Sequence, residues 1–131
     1  MVVGGGAVAR RRAEVLARFG GEVTVIAPDW TGDVAGARWI ARPYRPGDLE
    51  GAFLAVAATG DRDVNRTVGE EARARGIPVT VADRREECTF FFPAICEGGG
   101  VTAGLISQRG EDHRRAARAA KRVREVLEGS D

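Results

Sequence analysis

Val3-Gly4-Gly5-Gly6-Ala7-Val8-Ala9 is the stretch whose reading decides the fold. Met1-Val2-Val3 before it is a short apolar run, and an Ala-, Arg- and Leu-rich stretch follows as far as Gly20. That order predicts strand, tight turn and helix. Gly4, Gly6 and Ala9 keep the spacing G-x-G-x-x-A. Gly4 permits the sharp turn, Gly6 lets the backbone approach a pyrophosphate, and Ala9 lets the helix lie close on a sheet. The bare amides that open such a helix favour negative charge. Gly4, Gly5 and Gly6 are therefore candidate cofactor-binding residues.

Glycines alone also suit a tight turn with no ligand. The next segment favours the ligand. Glu22-Val23-Thr24-Val25-Ile26-Ala27 arrives where a second parallel strand belongs, and it ends in Pro28-Asp29. An acid roughly twenty residues beyond the glycines can accept the adenosine ribose hydroxyls, which suits NAD. The expected position is the last strand residue, here Ala27, so Asp29 is slightly displaced. No arginine follows it closely, which disfavours NADP.

The remaining chain repeats strand and helix. The first helix is predicted over about 8–19, with Ala9, Ala13, Leu16 and Phe19 near one face and Gly20-Gly21 closing it. Arg10-Arg11-Arg12 near its start is either a solvated face or an attraction for an anion. Trp39-Ile40-Ala41 is a short third strand. Asp48 is placed to cap one helical turn through Leu49 and Gly51. Ala52–Ala58 is the most apolar run and lacks alternation, so it is predicted to be a strand buried on both faces. Asp61 or Asp63 caps the next helix, which carries Val64, Val68 and Ala72 and ends at Gly76. Val79–Ala82 is the next strand, ending at Asp83. Connections too long for hairpins predict a parallel sheet with right-handed crossovers. Beyond it, 90–95 and 101–107 read as an antiparallel pair around Gly98-Gly99-Gly100, and Asp112 caps a last helix through Glu128.

The fold class is thus α/β: a Rossmann-like parallel sheet with helices on both faces, then a short β pair and a C-terminal helix. The 131 residues suit one domain with a sizeable core. A formal net charge of +1 argues against a general nucleic-acid binder, and no apolar run has the length of a membrane span. Lys121 is the only lysine, so the basic groups are nearly all arginines, whose planar forks suit carboxylates. No leader-like segment is read. Cys88 and Cys96 fit no metal spacing and read as packing residues in a reducing, cytoplasmic setting. His113, the one histidine, reads as a solvated residue near a helix start, so no metal ligand is assigned.

Ligands in open parallel sheets bind beyond the carboxyl ends of the strands. Gly4 to Gly6, Pro28-Asp29, Thr59-Gly60-Asp61 and Asp83 all fall at such ends. Asp83 either takes a proton from a substrate beside a hydride-accepting cofactor, or bonds backbone amides in the turn into Arg84-Arg85. Spacing leaves these two readings equal.

The string VVGGGAVARRRAEVLARFGGEVTVIAP resembles the start of the precorrin-2 dehydrogenase / sirohydrochlorin ferrochelatase domain of siroheme synthase. The likeness continues through LAVAATGDRDVNRTVGEEARARGIPVTVADRREECTFFFPAI and, less clearly, VTAGLISQRG. Its specific part is A-A-T before an acidic, Asn-containing helix start, then V-x-D, then an aromatic-rich F-x-x-P. The resemblance implies NAD-dependent oxidation of precorrin-2 to sirohydrochlorin. Many members also insert ferrous iron, so ferrous or cobaltous ion enters as a further substrate. Asp83 would be the catalytic base. NAD contacts would fall on Ala7-Val8, Pro28-Asp29 and Ala58-Thr59. Arg84, Arg85 and Arg109 are candidates for the substrate's carboxylates. The resemblance also implies a homodimer, with no nucleic-acid or membrane partner. It divides the chain into an NAD-binding domain over 1–84 and a dimerisation and substrate-covering segment over 85–131, short relative to the family. The family often has Ser-Pro where Gly110 is followed here by Glu111-Asp112. A different class of function, an NAD-sensing regulatory module without chemistry, would share the cleft but bind no tetrapyrrole.

Overall fold

The computed structural model describes residues 1–129. The chain forms two compact units, Met1–Phe90 and a second that begins at Phe91. In the first, β1 (Val2–Val3), β2 (Thr24–Ile26), β3 (Arg38–Ile40), β4 (Ala55–Ala57) and β5 (Val79–Val81) form one sheet in the order β3-β2-β1-β4-β5. Every pairing is parallel. Helix α1 (Ala7–Arg18) joins β1 to β2, and α2 (Arg62–Ala74) joins β4 to β5. β1 is only two residues long but central: Val2 lies between Val25 and Val56, and Val3 between Ile26 and Ala57.

Alternate strand residues face opposite sides. Val3, Ala55, Ala57, Val79 and Val81 cluster with Val68 and Ala72 of α2 and with Leu49. On the other side α1 packs on β1 and β4 and buries Ala9 and Ala13. Val2, Val25 and Val56 are fully buried between these layers. Each such valine contributes about 1.5–3 kcal/mol, so the centre of the sheet is its strongest part.

Three expectations fail at large apolar residues. Phe19 is the C-cap of α1 rather than part of its buried face; it is exposed, with the Arg18 guanidinium 5.2 Å from its ring centre. Phe53 is 88% exposed and outside the sheet. β4 is limited to Ala55–Ala57, the residues that pair with β1 and β5, so Phe53 has no strand partner. Phe90 to Phe92 precede the hairpin rather than forming it. The region around Asp48 is a series of turns, not a helix. There the Arg42 guanidinium donates to both Asp48 carboxylate oxygens, at 2.8 and 2.9 Å.

The second unit is a hairpin of β6 (Ala94–Gly98) and β7 (Val101–Leu105), with α3 (His113–Glu128) packed on it. The cluster between hairpin and helix is built from small buried residues, Ala94, Cys96, Ala116 and Ala120. Helix and strand approach tightly at Gly98, where a Cβ would lie 3.0 Å from the Leu127 Cβ. Asp112 caps α3 as expected, its Oδ1 accepting from the Arg115 amide at 3.0 Å.

Candidate functional site

A cleft of about 490 Å³ opens at the carboxyl ends of β1, β2 and β4. Gly4, Gly5, Gly6, Pro28, Asp29, Ala58 and Thr59 all line it, so seven of the nine expected cofactor residues meet in one cavity. Ala7 and Val8 open α1 directly after the glycines and are exposed there.

The three glycines are glycines for three reasons. Gly4 has φ +127°, and a Cβ on it would lie 2.2 Å from the Ala58 carbonyl oxygen. A Cβ on Gly5 would lie 1.8 Å from the Asp29 carbonyl oxygen. Gly5 thus seats the turn that carries Asp29, a role the G-x-G-x-x-A spacing does not assign. Gly6 differs from both. Its φ of −85° is open to any residue, and a Cβ on it would meet no protein atom within 4 Å. Nothing in the protein requires glycine there, whereas a phosphate approaching the backbone would. Gly6 is also the N-cap of α1, and no side chain bonds the first turn, which contains no acid. Bare amides, the positive end of a helix and free approach fit the diphosphate of a dinucleotide.

Arg10, at the end of that turn, is committed elsewhere. Its Nε donates to both Asp33 carboxylate oxygens at 3.0 and 2.9 Å, and Nη1 donates to Glu14 at 3.2 Å. The Thr31 hydroxyl also donates to Asp33 at 2.5 Å, and these two bonds hold the Asp33 carboxyl below its usual range. Arg10 therefore ties α1 to the loop after Asp29. Arg12 is half-buried, and burial lowers its guanidinium pKa.

The opposite wall is held by Asn65, which is fully buried in α2. Its Oδ1 accepts from the Thr59 amide at 3.0 Å and the Thr59 hydroxyl at 2.6 Å, while its Nδ2 donates to the Thr59 carbonyl at 3.1 Å. Both polar atoms of the amide are thus used to fix the Ala58-Thr59 turn, so burial carries no unsatisfied group. The Asn in the acidic helix start was visible in the sequence; its contact with Thr59 was not.

Pro43, Tyr44 and Val64 also line the cleft and were not anticipated. Tyr44 donates its hydroxyl to Glu71 Oε1. Burial and that bond push the phenol well above its ordinary range. Glu71 also accepts from the Gly47 amide at 2.8 Å, the Leu49 amide at 3.1 Å and Arg75 Nε at 2.9 Å. Burial alone would raise the Glu71 carboxyl, but these donors outweigh it and the net shift is downward.

Asp83 lies beyond β5, the strand next to β4, and is exposed rather than part of the cleft lining. Its Oδ1 accepts from Arg62 Nη1 at 2.7 Å, and Arg62 Nη2 donates to both oxygens of Glu87. The Arg84 amide bonds the Val81 carbonyl instead of Asp83. One guanidinium therefore aligns the Asp83 carboxylate. Cys88 is engaged by the same turn, its sulfur accepting from the Val81 amide at 3.1 Å. Among the described residues no helix is long and apolar enough to cross a membrane.

The family model described as "Putative NAD(P)-binding" matches residues 1–94. The "Probable multifunctional siroheme biosynthesis protein HemA" of Ruminiclostridium josui is 37% identical over 100% of this chain and 27% of its own length. The siroheme synthase of Methylobacillus flagellatus is 43% identical, over 82% of this chain and 24% of its own length. This chain thus spans about a quarter of these relatives. Among solved structures, "SirC, precorrin-2 dehydrogenase" superposes with a TM-score of 0.76 at 24% identity, over 95% of this chain and 64% of that one, and so shares its fold. The glycine turn, the cleft it opens and the matched segment agree: the chain belongs to the NAD(P)-binding family.

Proposed function

We propose that this chain carries out NAD-dependent oxidation of precorrin-2 to sirohydrochlorin in siroheme biosynthesis. The observation that carries the reading is the uncapped first turn of α1 opening into a cleft on the same sheet end as Asp83. Relatives named for siroheme biosynthesis and a shared fold with a precorrin-2 dehydrogenase support the choice of substrate.

In this reading Gly4 to Gly6 and the α1 amides hold the diphosphate, and Asp29 accepts the ribose hydroxyls. NAD, when bound, supplies a hydride acceptor. Oxidation of the substrate releases one hydride and one proton; Asp83 takes the proton and passes it to water. Arg62 keeps that carboxylate aligned, while Arg84 and Arg85 on the same turn attract substrate carboxylates. The finer part of the proposal has ferrous or cobaltous ion as a second substrate, with Asp83 receiving the displaced pyrrole protons.

The test is NADH formation by the purified protein given NAD and precorrin-2, with and without the metal ion. Asp83→Asn is expected to lower turnover at least about a hundredfold while leaving NAD binding intact. No NADH from the wild-type protein would overturn the reading. Full turnover by the variant would remove Asp83 from it.

A further inference from the structure

The cleft has one aromatic lining residue, Tyr44, and it is the only tyrosine in the chain. Its ring is half-buried and packs against the cluster formed by the sheet and α2. Its hydroxyl is tied to Glu71, which in turn holds two amides of the same loop and Arg75. Both ends of the side chain are therefore fixed before any ligand arrives. Around it the cleft is apolar, with Ile26, Pro28, Pro43 and Val64.

A dinucleotide brings two flat rings, one on each side of its diphosphate. Gly6 and the α1 amides place the diphosphate at the end of β1. Asp29, after β2, marks the side of the adenosine ribose, and Asp83, after β5, lies on the other side of β1 in the sheet. Tyr44 follows β3, the neighbour of β2. Tyr44 lines one cleft with Pro28 and Asp29, so the flat group within its reach on this reading is the adenine.

We propose that Tyr44 is the platform on which the adenine ring of the dinucleotide stacks, held ready by Glu71. Base–aromatic stacking gains from a fixed ring, because less side-chain freedom is lost on binding. The proposal rests on the dinucleotide reading of the cleft.

The probes are ADP-ribose, which keeps the adenosine half, and nicotinamide mononucleotide, which lacks it. Tyr44→Leu is expected to weaken ADP-ribose roughly tenfold by calorimetry and to leave nicotinamide mononucleotide unaffected. Tyr44→Phe keeps the ring and should stay within about threefold of wild type. In both variants Glu71 retains its bonds to Gly47, Leu49 and Arg75, so the loop stays anchored. Because the tyrosine is unique, its ring protons are unambiguous by NMR and should move upfield with ADP-ribose. Unchanged ADP-ribose affinity in Tyr44→Leu, or ring signals that do not respond at saturation, would overturn the platform and leave the dinucleotide site standing. A wild-type protein that binds neither NAD nor ADP-ribose would remove both.

Discussion

Two helices begin at the same end of the sheet, after neighbouring parallel strands, and their first turns are treated in opposite ways. α2 is closed by its own sequence: Asp61 Oδ1 accepts from the Asp63 amide at 2.9 Å and the Val64 amide at 3.3 Å, and Asp63 adds an acid to the turn. α1 starts at Gly6 with no capping side chain, no acid, and arginines from position 10 onward. A helix start with glycine in place of a capping side chain forgoes a few tenths of a kcal/mol. That the fold accepts this at α1 and not at α2 is what is expected if the α1 terminus is kept for a ligand and the α2 terminus only supports the scaffold.

The contrast can be broken at its hinge. Gly4→Ala combines a backbone angle reserved for glycine with a Cβ 2.2 Å from the Ala58 carbonyl oxygen. The expected loss is on the order of 3 kcal/mol or more, read by denaturant unfolding; a loss below 1 kcal/mol would contradict the described turn. The contrast can also be sharpened by exchanging the two treatments. Asp61→Ala should cost about 1 kcal/mol and leave ADP-ribose binding in place. Gly6→Ser should cap α1 and gain a few tenths of a kcal/mol, while weakening ADP-ribose roughly tenfold or more. A Gly6→Ser protein that binds normally would show that the open turn serves no anion.

The smallest expected effect is in acid. The Glu71 carboxyl sits below its ordinary value of 4.5 in the folded chain. Its stabilisation is therefore complete above about pH 4.5 and is lost as pH falls through the lower, folded value. Glu71→Gln should flatten that part of the stability profile, measured by thermal unfolding between neutral and acid pH. An unaltered acid limb would rule out this contribution.

Much of this was legible in the chain. The glycine turn, the parallel sheet, the Asp61 and Asp112 caps and the hairpin follow from local rules of spacing and capping. Phe19 and Phe53 were misplaced because an apolar residue carries no sign of where its element ends. Strand length is set by partners rather than by the strand itself. Gly5 and Asn65 were visible as residues, but not their duties. Those depend on the Asp29 carbonyl and on Thr59, brought close only by the packing of β2 and α2. Tyr44 lay hidden in a turn-rich link, although a lone tyrosine between prolines just past a strand was the available signal.

Gly5 has one more consequence. The turn bearing Asp29 is docked through its main chain, the Asp29 carbonyl seated against a residue with no side chain. The carboxylate of Asp29 takes no part in that docking, so what anchors the turn is separate from what would greet a sugar. A lineage could exchange the side chain at 29, and with it the preferred decoration of the ribose, while the architecture around it stood still.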